Sequence, residues 1–299
     1  MARRFATLDV FTIARFAGNP LAVVLDSDGL DTGAMLAIAR EFNLSETVFV
    51  HPPATPSHRA RLRIFTTACE LPFAGHPTVG TAVLLAILDG RSGMTELVLE
   101  EPIGAVHCRV QPMASDSGRA EFDVPRLPAR EAGDGNRDAM AAALGLRAAD
   151  IEAEAWPVER WSAGNPFTFV PVGGLDAVQR CRVDLARFDD AFRGSHAAAA
   201  FVFWREATGR HADFHARMFA PGMGPIEDPA TGSAVAAFAG YLAVHGGYGD
   251  GEQRVRVEQG VEMGRPSLIE LRMSLVGGRL TAASIGGHAV IACEGMIRT

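Results

Sequence analysis

The sequence predicts an α+β protein of two pseudo-symmetric domains. Each is a curved, mostly antiparallel sheet, an open barrel, wrapped around a central apolar helix. Three observations predict it. The chain of 299 residues repeats three landmarks in the same order about half its length apart. In each half, apolar residues alternate with polar ones, the period-2 pattern of strands. In each half one run, "PTVGTAVLLAIL" from Pro77 and "PATGSAVAAFAGYLAV" from Pro229, is apolar all round, and such a helix is buried.

The elements follow in order. The N-terminal "MARRFATLDVFTIARF" begins with basic residues, but charges interrupt its apolar stretch, so it reads as a first strand and not a signal peptide. "RFAGNPLAVV" (Arg15–Val24) then supplies a turn and a second strand, and it matches "WSAGNPFTFV" (Trp161–Val170) at an offset of 146. "ETVFV" and "RARLRIF" form a hairpin, as do "AAFVFW" and "ADFHARMF" in the second half, all rich in Val, Phe and Ile. Within these, "ARLRIF" (Ala60–Phe65) matches "FHARMF" (Phe214–Phe219) at an offset of 154. The apolar helix comes next, with proline suited to its first turn. Aligning Pro77 with Pro229, an offset of 152, pairs Gly80 with Gly232, Thr81 with Ser233 and His76 with Asp228. The small drift in offset is what loop insertions produce. "ELVLEE" and "AVHCRV", then "RVRVEQ" and "SLIELRM", read as further strands. The Pro-, Gly- and charge-rich "PRLPAREAGDGN" (Pro125–Asn136) marks the boundary. The expected domains are residues 1–128 and 129–285, with 286–299, including the strand "HAVIACEGMI", returning to the first.

Composition excludes several classes. The net charge of −7 is spread along the chain with no basic patch, so no nucleic-acid partner is expected. No apolar run reaches the ~18 residues of a spanning helix, so no membrane partner is expected. Cys69, Cys108, Cys181 and Cys293 form no CxxC pair, and the expectation is a reduced cytoplasmic protein with buried or inert thiols. All 28 basic residues are arginine. Without lysine there is no side-chain Schiff base to pyridoxal phosphate and no Walker-A lysine. There is no GxGxxG, and "PGMGPIEDP" is too proline-rich for a dinucleotide loop. There is no GxSxG elbow, so Ser233 reads as a donor rather than a nucleophile. His211 and His215 in "HADFH" lack an HExxH and lie in an alternating stretch, so a surface or hairpin role is expected rather than a metal site. Trp156, Trp161 and Trp204 are candidates for core or cleft walls.

The helix starts carry the chemistry. The first N–H groups of a helix lack internal partners, and the dipole adds partial positive charge there, which suits a carboxylate. Gly75 and Gly232 allow close approach, and Thr81 or Ser233 adds a hydroxyl. Two such starts facing an interdomain cleft would hold a small-molecule carboxylate substrate. His76 and Asp228 together could position a ligand or move a proton, while singly each is an ordinary helix-start residue. Glu227 beside Asp228 either shares the cleft, where like charge raises one pKa, or turns away.

"NLSETVFV", "FAGHPTVGTA", "EDPATGSA" and "QGVEMGRPS" together resemble the PhzF-like, phenazine-biosynthesis-like isomerase family over nearly the whole chain. The resemblance implies the diaminopimelate-epimerase-like fold, with two similar domains each built around a helix. It implies proton transfer between carbons with no metal or cofactor, as in the isomerisation of a dihydro-hydroxyanthranilate. It places the catalytic set on Glu46, His76, Asp228 and Ser233, with Gly75, Thr78, Thr231 and Gly232 as substrate-binding residues, and it implies a homodimer. A carboxylate such as Glu46, beside the apolar "TVFV", suits the capture and return of a proton. Two-thiol racemases of this fold need a cysteine at each helix start, and Cys69 lies seven residues before His76, so it reads as structural. The alternatives are an epimerase of a small amino or hydroxy acid and a non-catalytic binding member of the fold.

Overall fold

The computed structural model describes residues 2–132, 136–152, 154–193, 198–206, 208, 211–222 and 225–299. The chain divides into two units, Met1–Pro125 with Ile285–Thr299, and Arg126–Ser284. Part of the expected boundary segment, residues 133–135, and residues 223 and 224 of "PGMGPIEDP" lie outside the described residues.

The first unit contains β1 (Ala2–Val10), β2 (Asn19–Val24), α1 (Thr32–Phe42), β3 (Glu46–His51), β4 (Ala60–Phe65), β5 (Glu70–Leu71), α2 (Gly75–Leu88), β6 (Thr95–Glu101), β7 (Gly104–Ala114) and β8 (Ser117–Asp123). The second contains β9 (Ala129–Glu131), α3 (Arg137–Ala143), β10 (Glu159–Ser162), β11 (Pro166–Pro171), α4 (Leu175–Arg180), α5 (Leu185–Phe192), β12 (Ala200–Trp204), β13 (Phe214–Phe219), β14 (Glu227–Asp228), α6 (Gly232–His245), β15 (Gly251–Gln259) and β16 (Ser267–Val276). β17 (Arg279–Arg298) ends the chain, and its residues from Ile285 belong to the first unit.

Pairing in the first unit runs β1–β2–β3–β4–β6–β7–β8–β17 and back to β1, from Ala2↔Arg298 to Val10↔Ala289. The sheet is therefore a closed eight-stranded barrel rather than an open one, because the C-terminal strand fills the last gap. Two of its pairs, β2·β3 and β4·β6, are parallel. A parallel pair cannot be joined by a tight turn and needs a crossover. Helix α1 makes one crossover on the outside, capped by Asp31, and packs Met35, Ile38 and Ala39 on Val24, Phe49 and Phe65. Helix α2 makes the other through the barrel, and every residue from Gly75 to Ala86 is buried. Gly80 is a packing glycine in mid-helix, not part of the helix start: a Cβ there would lie 2.6 Å from Leu21 Cδ2 and 2.8 Å from Val10 Cγ2.

The second unit repeats this plan as β9–β10–β11–β12–β13–β15–β16, with β11·β12 and β13·β15 parallel. Helices α4 and α5 make the first crossover and α6 the second. Around α6 the core is aromatic: Phe238 packs within 5.7 Å, ring to ring, of Phe169, Phe203, Phe214 and Tyr241. Trp156 stacks into this core, and Trp161 is buried against α6 where Gly240 leaves room for its ring. Trp204 is half-buried.

The duplicated Gly-Asn-Pro turn has a conformational cause. Gly18 has φ +66° and Gly164 φ +135°, both costly for other residues. A Cβ on Gly18 would also collide with the Val10 carbonyl oxygen. Gly29, at φ +80°, has open space around it. Gly18→Ala is therefore expected to destabilise by about 2 kcal/mol or more, and Gly29→Ala by about 1 kcal/mol, read from denaturant midpoints at constant slope.

Of the four thiols, expected to be buried or inert, Cys108 and Cys181 are buried and Cys69 and Cys293 are exposed. No helix among the described residues is long and apolar enough to cross a membrane.

Candidate functional site

Strand register and helix starts fix which residues of the two units correspond. Glu70 and Leu71 pair with Phe65 and Ile64, while Glu227 and Asp228 pair with Phe219 and Met218. Phe65 and Phe219 are the matched ends of the repeated hairpin. Glu227 therefore corresponds to Glu70, and Asp228 to Leu71. A shared ion pair supports this: Arg63 donates to both Glu70 carboxylate oxygens (2.7 and 2.6 Å), and Arg217 to both of Glu227 (2.7 and 2.8 Å). Gly75 and Gly232 each open a 14-residue helix, so His76 corresponds to Ser233. The alignment of His76 with Asp228 through Pro77 and Pro229 is thus displaced: the link from hairpin to helix differs in length, and proline recurs on different turns. Thr81 likewise lies inside α2, fully buried, and not at its start.

In the first unit, Glu46 opens β3 directly after α1, which Asn43 ends in the left-handed region at φ +51°. His76 lies in the first turn of α2, whose N-cap is Ala74 and which no side chain caps. These elements bring Glu46 Oε2 to 3.2 Å from His76 Nε2, with the side chains 16% and 5% exposed. Burial pushes the His76 imidazole down to about 3, so the ring is neutral at pH 7, although a carboxylate so close acts in the opposite direction. The pair sets a carboxylate 3.2 Å from a neutral imidazole at the positive end of a helix.

In the second unit, β14 turns its two acids to opposite faces, as successive strand residues must. Arg217 holds Glu227 and also donates to the carbonyls of Val178 and Cys181, so Glu227 is neutralised inside the unit. Asp228 is part-buried and accepts a 2.5 Å hydrogen bond from Thr231 Oγ1. Gln259 stitches the turn together: its Nε2 donates to the Asp228 carbonyl (2.7 Å) and Thr231 Oγ1 (3.1 Å), and its Oε1 accepts from Thr231 N (3.2 Å). Ser233 follows Gly232 at the start of α6 and is partly exposed.

Of the residues expected to bind substrate, Gly75 and Gly232 sit at the helix starts. Thr78 is fully buried, and its hydroxyl lies 2.8 Å from Ala74 O and 2.7 Å from Glu101 Oε1. The Thr231 hydroxyl is likewise engaged within its own turn. Glu101, Glu258 and Glu262 are not among the expected site residues. Glu101, 6% exposed, lies behind α2, and burial pushes its carboxyl up to about 8. Glu258, with Glu262, flanks His215, which is fully buried and not at the surface (Nδ1 to Glu258 2.7 Å, Nε2 to Glu262 2.8 Å). The signal for Glu101 was present, since "LEEP" and "VEQG" end corresponding strands. Among the described residues no group of three or more His, Cys, Asp or Glu is placed to hold a metal ion.

A sequence model of the PhzC-PhzF family, described as phenazine biosynthesis-like protein, matches residues 8–295. An uncharacterized isomerase of Mesorhizobium japonicum is 50% identical over 298 residues, 99% of this chain and 98% of that one. The trans-2,3-dihydro-3-hydroxyanthranilate isomerase of Pseudomonas fluorescens is 35% identical over 296 residues, 98% of both chains. Among solved structures, a PhzF-family phenazine biosynthesis protein of Bacillus anthracis superposes over all of both chains with a TM-score of 0.90 at 26% identity.

Proposed function

Because the chain belongs to the phenazine biosynthesis-like (PhzC-PhzF) family of isomerases, we propose that it moves a proton between two carbons of a small carboxylate substrate, with Glu46 as the shuttle and no cofactor. One observation carries this reading: Glu46 Oε2 stands 3.2 Å from the neutral His76 at the uncapped start of α2. The relative from Pseudomonas fluorescens is named for a substrate of this kind, a small unsaturated ring bearing a carboxylate.

The steps balance without a redox partner. The Glu46 carboxylate takes a proton from an acidic C–H. The electron pair left behind delocalises into the adjoining unsaturation, and the double bond shifts. Protonated Glu46, whose carboxyl proton exchanges with solvent, then delivers a proton to the new carbon, so substrate and product have equal composition. Neutral His76 orients the carboxylate and keeps it from turning away. Ser233 and the first N–H groups of α6 are assigned to the negatively charged groups of the substrate, which such donors stabilise, and Asp228, an acceptor, to a donor group of the substrate. Gly75 and Gly232 put no side chain in the way. The working form in this reading is a homodimer.

Ser233→Ala is expected to raise KM about 10-fold, as loss of one hydrogen bond to a charged group does, with a smaller change in kcat. The reading is tested by incubating dialysed, chelator-treated protein in D2O with small amino, hydroxy and dihydroaromatic acids, and following deuterium uptake by proton NMR. Uptake at one C–H of a carboxylate is expected. Several bound compounds with no exchange in any of them would favour a binding protein, and exchange that returns only with added metal would remove cofactor independence.

A further inference from the structure

We propose that Glu101 is a positioning residue that works as a neutral carboxylic acid, donating its proton to Thr78 and so fixing the first turn of α2, which carries Gly75 and His76. This rests on the reading of that turn as part of the catalytic site.

The available hydrogens favour the neutral acid. The Thr78 hydroxyl lies 2.8 Å from the Ala74 carbonyl and 2.7 Å from Glu101 Oε1. It has one hydrogen to give, the carbonyl only accepts, and an ionised carboxylate only accepts. With Glu101 ionised, one of these two short contacts sets two acceptors against each other. With Glu101 protonated, its O–H donates to Thr78, Thr78 donates to Ala74, and both are hydrogen bonds. The chain then ties β6 to the N-cap carbonyl of α2.

The internal repeat supports the same assignment. β6 pairs with β4 through Arg61↔Glu100, and β15 pairs with β13 through His215↔Glu258. Glu101 and Gln259 follow these residues on the two strands, so they correspond. Gln259 cannot ionise, and its amide donates to Thr231 and Asp228 at the start of α6. Both units thus hold the first turn of the central helix with a buried side chain of the same shape, and one of the two is a permanent neutral donor.

The surroundings agree. Glu101 Oε2 is buried with no hydrogen-bond partner, a poor place for charge. Among the described residues no cation is hydrogen-bonded to Glu101 or paired with it. Glu100 on the same strand turns the other way, accepting from the Ala54 and Thr55 amides and contacting His58. The titratable group facing Glu101 from β7 is Cys108, whose thiol burial pushes up, so it too is neutral. Burial raises Glu101 to about 8 against the opposing Thr78 hydrogen bond, so the proton is retained at neutral pH.

The test compares wild type, Glu101→Gln and Glu101→Ala. The folded pKa lies above the unfolded one, so folding takes up a proton, and the stability held below the unfolded pKa is lost as pH rises toward about 8. Wild-type Tm should therefore fall relative to Glu101→Gln between about pH 5 and 8.5. In the deuterium-exchange assay, Glu101→Ala should lose about 100-fold through misplacement of the first turn. Glu101→Gln should restore most of that loss and remove the decline of wild type above pH 8. Parallel Tm curves for wild type and Glu101→Gln overturn the proposal, as does a Glu101→Gln variant as impaired as Glu101→Ala. If wild type exchanges no carboxylate at all, the Glu46 reading fails, and the Tm comparison still decides where the Glu101 proton is.

Discussion

Glu46→Gln is expected to lower kcat by about 1000-fold while leaving KM within a few-fold and Tm nearly unchanged. The size follows from the role: a positioned general acid–base contributes about 100- to 10,000-fold, and a shuttle uses the same group for both transfers. The amide keeps the shape of the side chain and its contact with His76, but it can neither take nor return a proton. Glu46 is partly exposed at a strand start, so removing its charge disturbs little packing. Steady-state kinetics with thermal unfolding of the same sample checks this. A large loss of Tm would show that Glu46 is structural.

The second large effect lies away from the chemistry. His215 is fully buried between Glu258 and Glu262. Burial alone would lower its pKa, but the two carboxylates outweigh burial and raise it to about 9. The folded pKa is above the unfolded one, so the stabilisation is fully present below about pH 6.5 and is lost as pH rises through 9, roughly 3 kcal/mol in all. Glu258 and Glu262 are burdened by burial, yet their bonds to His215 leave both lowered, so their share is lost at acid pH instead. His215→Ala leaves two buried carboxylates unpaired and is expected to cost about 3–5 kcal/mol. Denaturant unfolding from pH 5 to 10 should show a wild-type decline above pH 6.5 that is shallower in the variant, which keeps only the part due to Glu101. Superposable pH profiles would mean that His215 is neutral in the folded protein.

What the sequence made legible was whatever repeats locally. The Gly-Asn-Pro turns stood out because each needs glycine at positive φ, and the central helices because burial on all sides removes polar residues from every face. Glu46 and His76 were found through motif resemblance; their 3.2 Å approach depends on a β3 start meeting an α2 start, and no spacing rule encodes that. The correspondence of His76 with Ser233 was hidden because identical Pro-x-x-Gly spacing suggested a different alignment, while the true register is set by Arg63–Glu70 and Arg217–Glu227. Barrel closure was hidden too, since it depends on a strand nearly 290 residues away in sequence pairing with β1. The hairpin reading of His215 holds, since it lies in β13 paired with β12, but the surface reading does not, because strand alternation does not reveal which polar side chain will find two carboxylates inside.

The measurement that bears most directly on the central claim is deuterium incorporation at the reacting carbon in D2O, wild type against Glu46→Gln, with one substrate and equal folded protein. A Glu46 shuttle predicts deuterium entering the wild-type product at the carbon that gains the proton, and no incorporation above the uncatalysed background in Glu46→Gln. Incorporation by Glu46→Gln at the wild-type rate would contradict it and assign the proton transfer to another group.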